Sequence, residues 1–144
     1  MKLSELQQHW QADCKLDEMA LDAESLKIPN LHSKYLAWWN EERLNLKKYN
    51  QEYKHLYKLK WEYYTAKLSD EELERLGWEQ FDLKILRQDL DVYLDADKEL
   101  GEFQSKIDYT KQKVDFIDNV IKQLVNRGYL IKNAIDFMRF QTGG

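Results

Sequence analysis

The feature that most narrows the fold is a scarcity: 144 residues contain only 5 Gly and 1 Pro. Turns and sheets use both residue types often, and helix interiors tolerate neither well. Residues 31–67 contain neither, a run of 37 positions that could form about 55 Å of helix at about 1.5 Å per residue. The expected fold is all-α, and the length suits one helical domain over 1–144.

Local signals divide the chain. Ser4 is placed to cap a short helix that buries Leu3, Leu6 and Trp10, and a second short helix is expected over 17–27. Pro29 then marks a boundary, with Asn30 as the next cap. The long helix over 31–67 carries Tyr35, Trp38, Trp39, Tyr49, Tyr53, Tyr57, Trp61, Tyr63 and Tyr64, nine of the chain's 19 aromatic residues. A single bundle seam cannot hold them all. Ser69 followed by Glu72 reads as a capping box opening a short acidic helix that Gly77 ends.

Beyond it, Leu83, Leu86, Leu90 and Tyr93 recur at 3,4,3 spacing, and Ala96, Leu100, Phe103, Ile107, Thr110, Val114, Ile117, Ile121 and Leu124 continue the alternation. This predicts heptad-patterned helices over 80–127, with Gly101 as a point of weakness and Gly128 as the residue just past the end. A final amphipathic helix over 129–140 presents a broad apolar face that includes Leu130, Ala134 and Phe137. Such a terminal helix often docks on a neighbour as well as on its own core.

The net charge of −4 hides a strong alternation: −3 over 1–29, +4 over 30–68, −8 over 69–102 and +3 over 103–144. A polyanion senses local potential, because salt screens charge beyond roughly 10 Å. The basic segments therefore remain compatible with nucleic acid, and the acidic one is a candidate protein-facing or solvated surface. The lone cysteine, Cys14, allows no internal disulfide and fits a reducing compartment. Neither a secretory leader nor a membrane-spanning run is visible, so a soluble cytosolic protein is expected.

Chemistry of the catalytic kind is missing. There is no glycine-rich phosphate loop, no nucleophile elbow, and no metal-ligand spacing among His9, His32, His55 and Cys14. The expectation is a protein without catalytic residues, metal or cofactor. Another pattern is present instead. On a helix Arg43, Lys47, Lys54 and Lys58 fall within about 60° of one another, with Tyr57 and Trp61 beside them. Cations that follow phosphates, interleaved with rings that stack on bases, are the means of binding an unpaired strand without reading its sequence. Two other readings share the pattern: a coiled-coil virion or scaffold component, and an adaptor that binds only protein through the acidic segment.

Four stretches carry a family resemblance: Leu3-x-x-Leu6-Gln7; Ser33-Lys34-Tyr35-Leu36; Leu56 and Lys58 ahead of Leu59-Lys60-Trp61-Glu62-Tyr63-Tyr64; and Arg127-Gly128-Tyr129-Leu130-Ile131-Lys132 with Met138-Arg139. In this order and at these offsets the chain resembles the UvsY recombination mediators of large tailed phages. The resemblance implies a homo-oligomeric ring of six or seven subunits in the cytoplasm of an infected bacterial host. It implies binding to single-stranded DNA, to a RecA-like recombinase and to the phage single-strand-binding protein, in recombination, repair and recombination-dependent replication. The family's basic DNA-binding pair falls on Lys58 and Lys60, and its self-associating C-terminal region falls on the face with Ile131, Ile135 and Met138. Ala66 stands where the family usually has Gly, so the turn is expected later, near Ser69, and nothing is carried over to the poorly matched stretch 68–79. On a continuous helix Lys58 and Lys60 point about 200° apart, so both cannot lie on one stripe.

Overall fold

The computed structural model describes residues 1–143 and, among them, contains helices and no strand. The order is α1 (Leu3–Asp13), α2 (Leu21–Tyr64), α3 (Asp70–Leu76), a short 3₁₀ turn (Arg87–Asp89), α4 (Leu90–Asp95) and α5 (Lys98–Gln141). Helices α2 and α5 have 44 residues each. Two compact units form, one from Met1–Asn45 with Thr110–Gly144 and one from Leu46–Tyr109.

Both long helices run through residues expected to stop them. Pro29 lies inside α2, so the short helix over 17–27 and the boundary at Pro29 are not found. A proline in a helix interior costs about 3 kcal/mol. The inward stripe explains why the helix continues. Leu21, Glu24, Ile28, Leu31, Tyr35, Trp38 and Glu42, each buried or half-buried, keep a 3,4 alternation across Pro29, which itself faces solvent. Gly128 likewise sits within α5, between the buried Arg127 and Ile131. Ile117, Val120, Leu124, Arg127 and Ile131 hold one 3,4,3,4 stripe through it, which offsets the roughly 1 kcal/mol that Gly costs relative to Ala. There is accordingly no separate helix over 129–140.

The first unit is built around Leu6, Tyr35, Ile117, Val120 and Leu124, with Trp10, Leu31, Trp38 and Trp39 packed against them. Its polar groups are tied to one carboxylate. Asp13 accepts from the Tyr35 hydroxyl at 2.7 Å and pairs with Lys34 at 2.6 Å, while its backbone carbonyl accepts from Arg127 at 2.8 Å. Glu42 and Lys113 form a second buried pair at 2.9 Å. At the start of α1, Ser4 is not the cap. The helix begins at Leu3, and the Lys2 amide donates to the Glu5 carboxylate at 2.7 Å.

The second unit packs Leu90, Leu94 and Leu100 against Tyr53, Leu56, Tyr64 and Ile85. Ser69 caps α3 as expected, accepting from the Glu72 amide at 3.2 Å, and Gly77 ends it at φ 69°. The helix expected from residue 80 onward is absent as far as residue 86, and Leu83 and Leu86 are exposed. Here Phe81 leaves helical register to join a ring cluster with Tyr63, Tyr64 and Tyr93, at centroid distances of 5.6, 5.1 and 5.7 Å. Burying rings in this way outweighs a weak local helix preference.

Helix α2 ends where a family glycine would end it, not near Ser69. Ala66 takes φ 58°, its amide donates to the Tyr63 carbonyl at 3.2 Å, and the Lys67 amide reaches back to Glu62 at 2.8 Å. These are the paired hydrogen bonds of a left-handed C-terminal cap, in which a side-chain-bearing residue is strained. We expect Ala66→Gly to stabilise the protein by about 0.5–1 kcal/mol, the relief of strain exceeding the added chain entropy. Urea unfolding checks this. A lower midpoint for Ala66→Gly would show that the left-handed turn carries no strain.

Candidate nucleic-acid interface

The exposed face of α2 in the second unit carries Lys47, Lys54 and Lys58, all pointing to solvent, with Tyr57 and Trp61 also exposed between and beside them. Asn50 and Gln51 fill the same side, and Glu52 falls on the opposite one. The nearest carboxylate is Glu62, 3.8 Å from Lys58 across one helical turn. Such an exposed pair is weak and yields readily to a competing phosphate. Arg43 belongs to the first unit, where its guanidinium lies 5.0 Å from the Trp39 ring centre.

Lys60 is not part of this face. The Lys58 side chain is 77% exposed and that of Lys60 is 7% exposed. Lys60 is enclosed by acids and rings: Asp97 at 3.1 Å, Glu99 at 3.4 Å, and the Trp78 ring centre at 4.1 Å. Of the basic pair implied by the family resemblance, Lys58 is thus open to solvent and Lys60 is engaged within its own unit. Two residues of helical advance send one ammonium outward and the other into the unit's interior.

Asp97 organises that interior. It is the N-cap of α5, accepting from the Leu100 amide at 2.9 Å, and it accepts from the Tyr64 hydroxyl at 2.6 Å. Burial alone would push its carboxyl up, but the hydrogen bonds from Tyr64, Leu100 and Lys60, with the charge of Lys60, outweigh this and hold it below its ordinary 3.8. Burial and the adjoining carboxylate push the Tyr64 phenol up in turn. Lys60 thus sits behind the exposed stripe and fixes α2 against the start of α5. Asp97 went unnoticed at the level of sequence, although an aspartate just ahead of a long helical run is a cap signal.

Lys67 was also missed. On a helix continued to residue 67 it would point about 120° away from Trp61. The turn at Ala66 instead places its ammonium 4.1 Å from the Trp61 ring centre. The glycine position noted in the family resemblance was the available signal for that turn.

The self-association residues divide as well. Ile131 is buried in the first unit, Ile135 is half-buried and Met138 is exposed. Ile131 lies on the inward stripe of α5 and is already covered by its own chain. Met138 continues the Ile131 face to its exposed end, whereas Phe137 and Phe140 are exposed on the far side of the helix relative to Ile131.

Two 44-residue helices with short helical connections, the first carrying an exposed basic–aromatic face, place the chain among all-α proteins with a cationic surface. Residues 9–144 match the family model described as recombination, repair and ssDNA binding protein UvsY, and the chain belongs to that family. It is 23% identical over 143 residues to the recombination protein uvsY of Enterobacteria phage T4, covering 99% of both chains. Crystal structures of the bacteriophage T4 recombination mediator protein UvsY share the fold. One has a TM-score of 0.84 at 21% identity, covering 99% of this chain and 98% of that one. A second crystal form gives 0.82 at 20% identity, covering 98% and 99%. Recombination, repair and single-strand binding favour the first of the sequence readings over the coiled-coil structural one. Among the described residues, no helix is long and apolar enough to cross a membrane.

Proposed function

We propose that this protein is a recombination mediator that holds single-stranded DNA on the Lys47–Lys54–Lys58 face of α2 and helps a RecA-like recombinase load onto strands coated by single-strand-binding protein. The observation that carries this reading is an exposed line of cations with Tyr57 and Trp61 alongside, in which the carboxylate paired is Glu62, 3.8 Å from Lys58. Arg43, exposed on the first unit, is a separate candidate contact to the strand. The competition at Trp61 has a definite sign. Lys67 over an exposed ring contributes about 0.5–1 kcal/mol, whereas a base stacked on an aromatic side chain contributes about 1–3 kcal/mol. A strand can draw Lys67 onto a phosphate and place a base on the indole in its stead.

Several copies strengthen the site. The Ile131–Ile135–Met138 face of α5, buried at Ile131 and open at Met138, suits docking on another subunit, with Phe137 and Phe140 exposed on the other side of the helix. A ring of six or seven such subunits repeats a modest site, and multivalency raises its avidity. The mechanism is differential binding: the strand is held in a state that the coat protein binds less well and the recombinase binds better, and no ATP is consumed by this chain. The acidic 69–102 segment is the proposed face for the recombinase. Sedimentation with and without fluorescent oligo-dT tests assembly and ligand together. We expect an oligomer that binds the oligonucleotide with salt-sensitive affinity. A monomer indifferent to the oligonucleotide at low salt removes the reading.

A further inference from the structure

Beyond the stripe, the second unit contains a groove of about 630 Å³ between the C-terminal end of α2 and the irregular chain leading into the 3₁₀ turn. Trp61 and Lys67 line it on one side, and Leu83, Lys84, Leu86 and Arg87 on the other. Its lining includes no acidic residue. That is unexpected, because 69–102 has a net charge of −8 and only four basic residues, Arg75, Lys84, Arg87 and Lys98. Two of those four converge on this one place. Asp97 and Glu99 face Lys60, and Asp82 and Asp89, which flank the 83–87 stretch in sequence, are not part of the lining.

We infer that this groove is a nucleotide subsite, taking one base of an unpaired strand between the Trp61 indole and the exposed Leu83 and Leu86 side chains, with the flanking phosphates on Lys67, Lys84 and Arg87. The inference rests on the proposed function and extends it, since Trp61 belongs to both the stripe and the groove. Three features select this occupant. Apolar walls with cations and no anion match a base carried on phosphates, and a pocket of roughly 300–1,000 Å³ is the usual size for a small ligand. Trp61 belongs both to the Lys54–Lys58 side of α2 and to the groove lining, so a strand leaving the stripe can enter the groove over its indole, with Glu62, paired to Lys58 at 3.8 Å, as the carboxylate beside the path. Finally, Leu83 and Leu86 are exposed at heptad spacing with no helix to bury them, and Lys84 and Arg87 are exposed beside them. The acidic segment thus acquires a second role through its few cations.

The test uses the full-length protein and oligo-dT. Replacing Lys84→Gln together with Arg87→Gln should lower the slope of log affinity against log salt by about 1.4, at about 0.7 per lost single-strand phosphate contact. Affinity in dilute buffer should fall at least tenfold. Oligo-dT carrying a diazirine-bearing base, whose carbene inserts into aliphatic side chains, photolysed on the unaltered protein, should cross-link within 83–87, and this readout does not depend on a variant folding. If the slope is unchanged and no cross-link maps there, while Lys54→Ala with Lys58→Ala still weakens binding, the subsite is wrong and the stripe stands. A sedimentation change in the double variant with DNA affinity intact assigns the groove to a second copy of the chain and overturns the inference. Absence of salt-sensitive binding by the unaltered protein removes the proposed function and this subsite with it.

Discussion

Asp97→Ala should lower the stability of the protein by about 3–5 kcal/mol, the cost of leaving a buried charge without its partner. The substitution strands the Lys60 ammonium with only the half-exposed Glu99, removes the acceptor of the Tyr64 hydroxyl and uncaps α5. For a chain of this size the melting temperature should drop by roughly 10 °C, compared at equal protein concentration because assembly adds to apparent stability. Asp97→Asn keeps an oxygen for Tyr64 and the cap but loses the charge, so it should fall between the two. Adding Lys60→Met to Asp97→Asn should recover part of the loss, because the unpaired buried cation is then gone. The same carboxylate sets an acid limit. Its folded pKa is depressed, so its contribution is fully present above the unfolded value of about 3.9 and is lost as pH falls through the folded value. The urea midpoint should show little change from this group between pH 7 and 5 and should drop below about pH 4. Asp97→Ala should flatten that drop, leaving the part due to Asp13, whose carboxyl is also held low. Should Lys60→Met leave the midpoint unmoved and reduce the salt slope of DNA binding, Lys60 is a phosphate contact after all.

Residue spacing made much of the fold legible, and where the reading failed a particular competition had been misjudged. The α5 seam from Leu100 to Leu124 was visible because its apolar residues keep one alternation, and the Ser69 cap was visible because its chemistry is local. Pro29 and Gly128 were read as stops on local preference alone. The stripes from Leu21 to Glu42 and from Ile117 to Ile131 pass straight through them, and such a continuous seam outweighs one poor residue. The first stripe contains Glu24 and Glu42, buried carboxylates that a search for apolar residues skips. Leu83 and Leu86 erred in the opposite direction, since heptad spacing cannot reveal that Phe81 gains more by joining the Tyr63, Tyr64 and Tyr93 rings. At the candidate site the stripe could be seen from helical angles, as could the conflict between Lys58 and Lys60. What resolved that conflict was a carboxylate 37 positions further along the chain, Asp97, and no local pattern couples residues at that distance.

The stripe and the aromatic residues beside it should fail in different ways when removed. Lys47→Ala, Lys54→Ala and Lys58→Ala together delete three exposed cations and no buried contact, so helix content should be preserved. If each meets one phosphate, the slope of log affinity against log salt should decrease by about 2.1 in magnitude. That term vanishes near 1 M salt, so at 0.1 M the triple variant should bind oligo-dT on the order of a hundredfold more weakly. Trp61→Ala should instead cost about 1–3 kcal/mol of stacking, or roughly 5- to 150-fold in affinity, and nearly the same factor at every salt concentration. The two lines on a salt plot should therefore differ in kind: the lysine variant rotates the line and the tryptophan variant displaces it. Rotation by Trp61→Ala would mean that the ring serves only to position Lys67. Displacement without rotation by the lysine variant would mean that these three ammonium groups do not meet phosphate, and the strand must then follow another face of the protein.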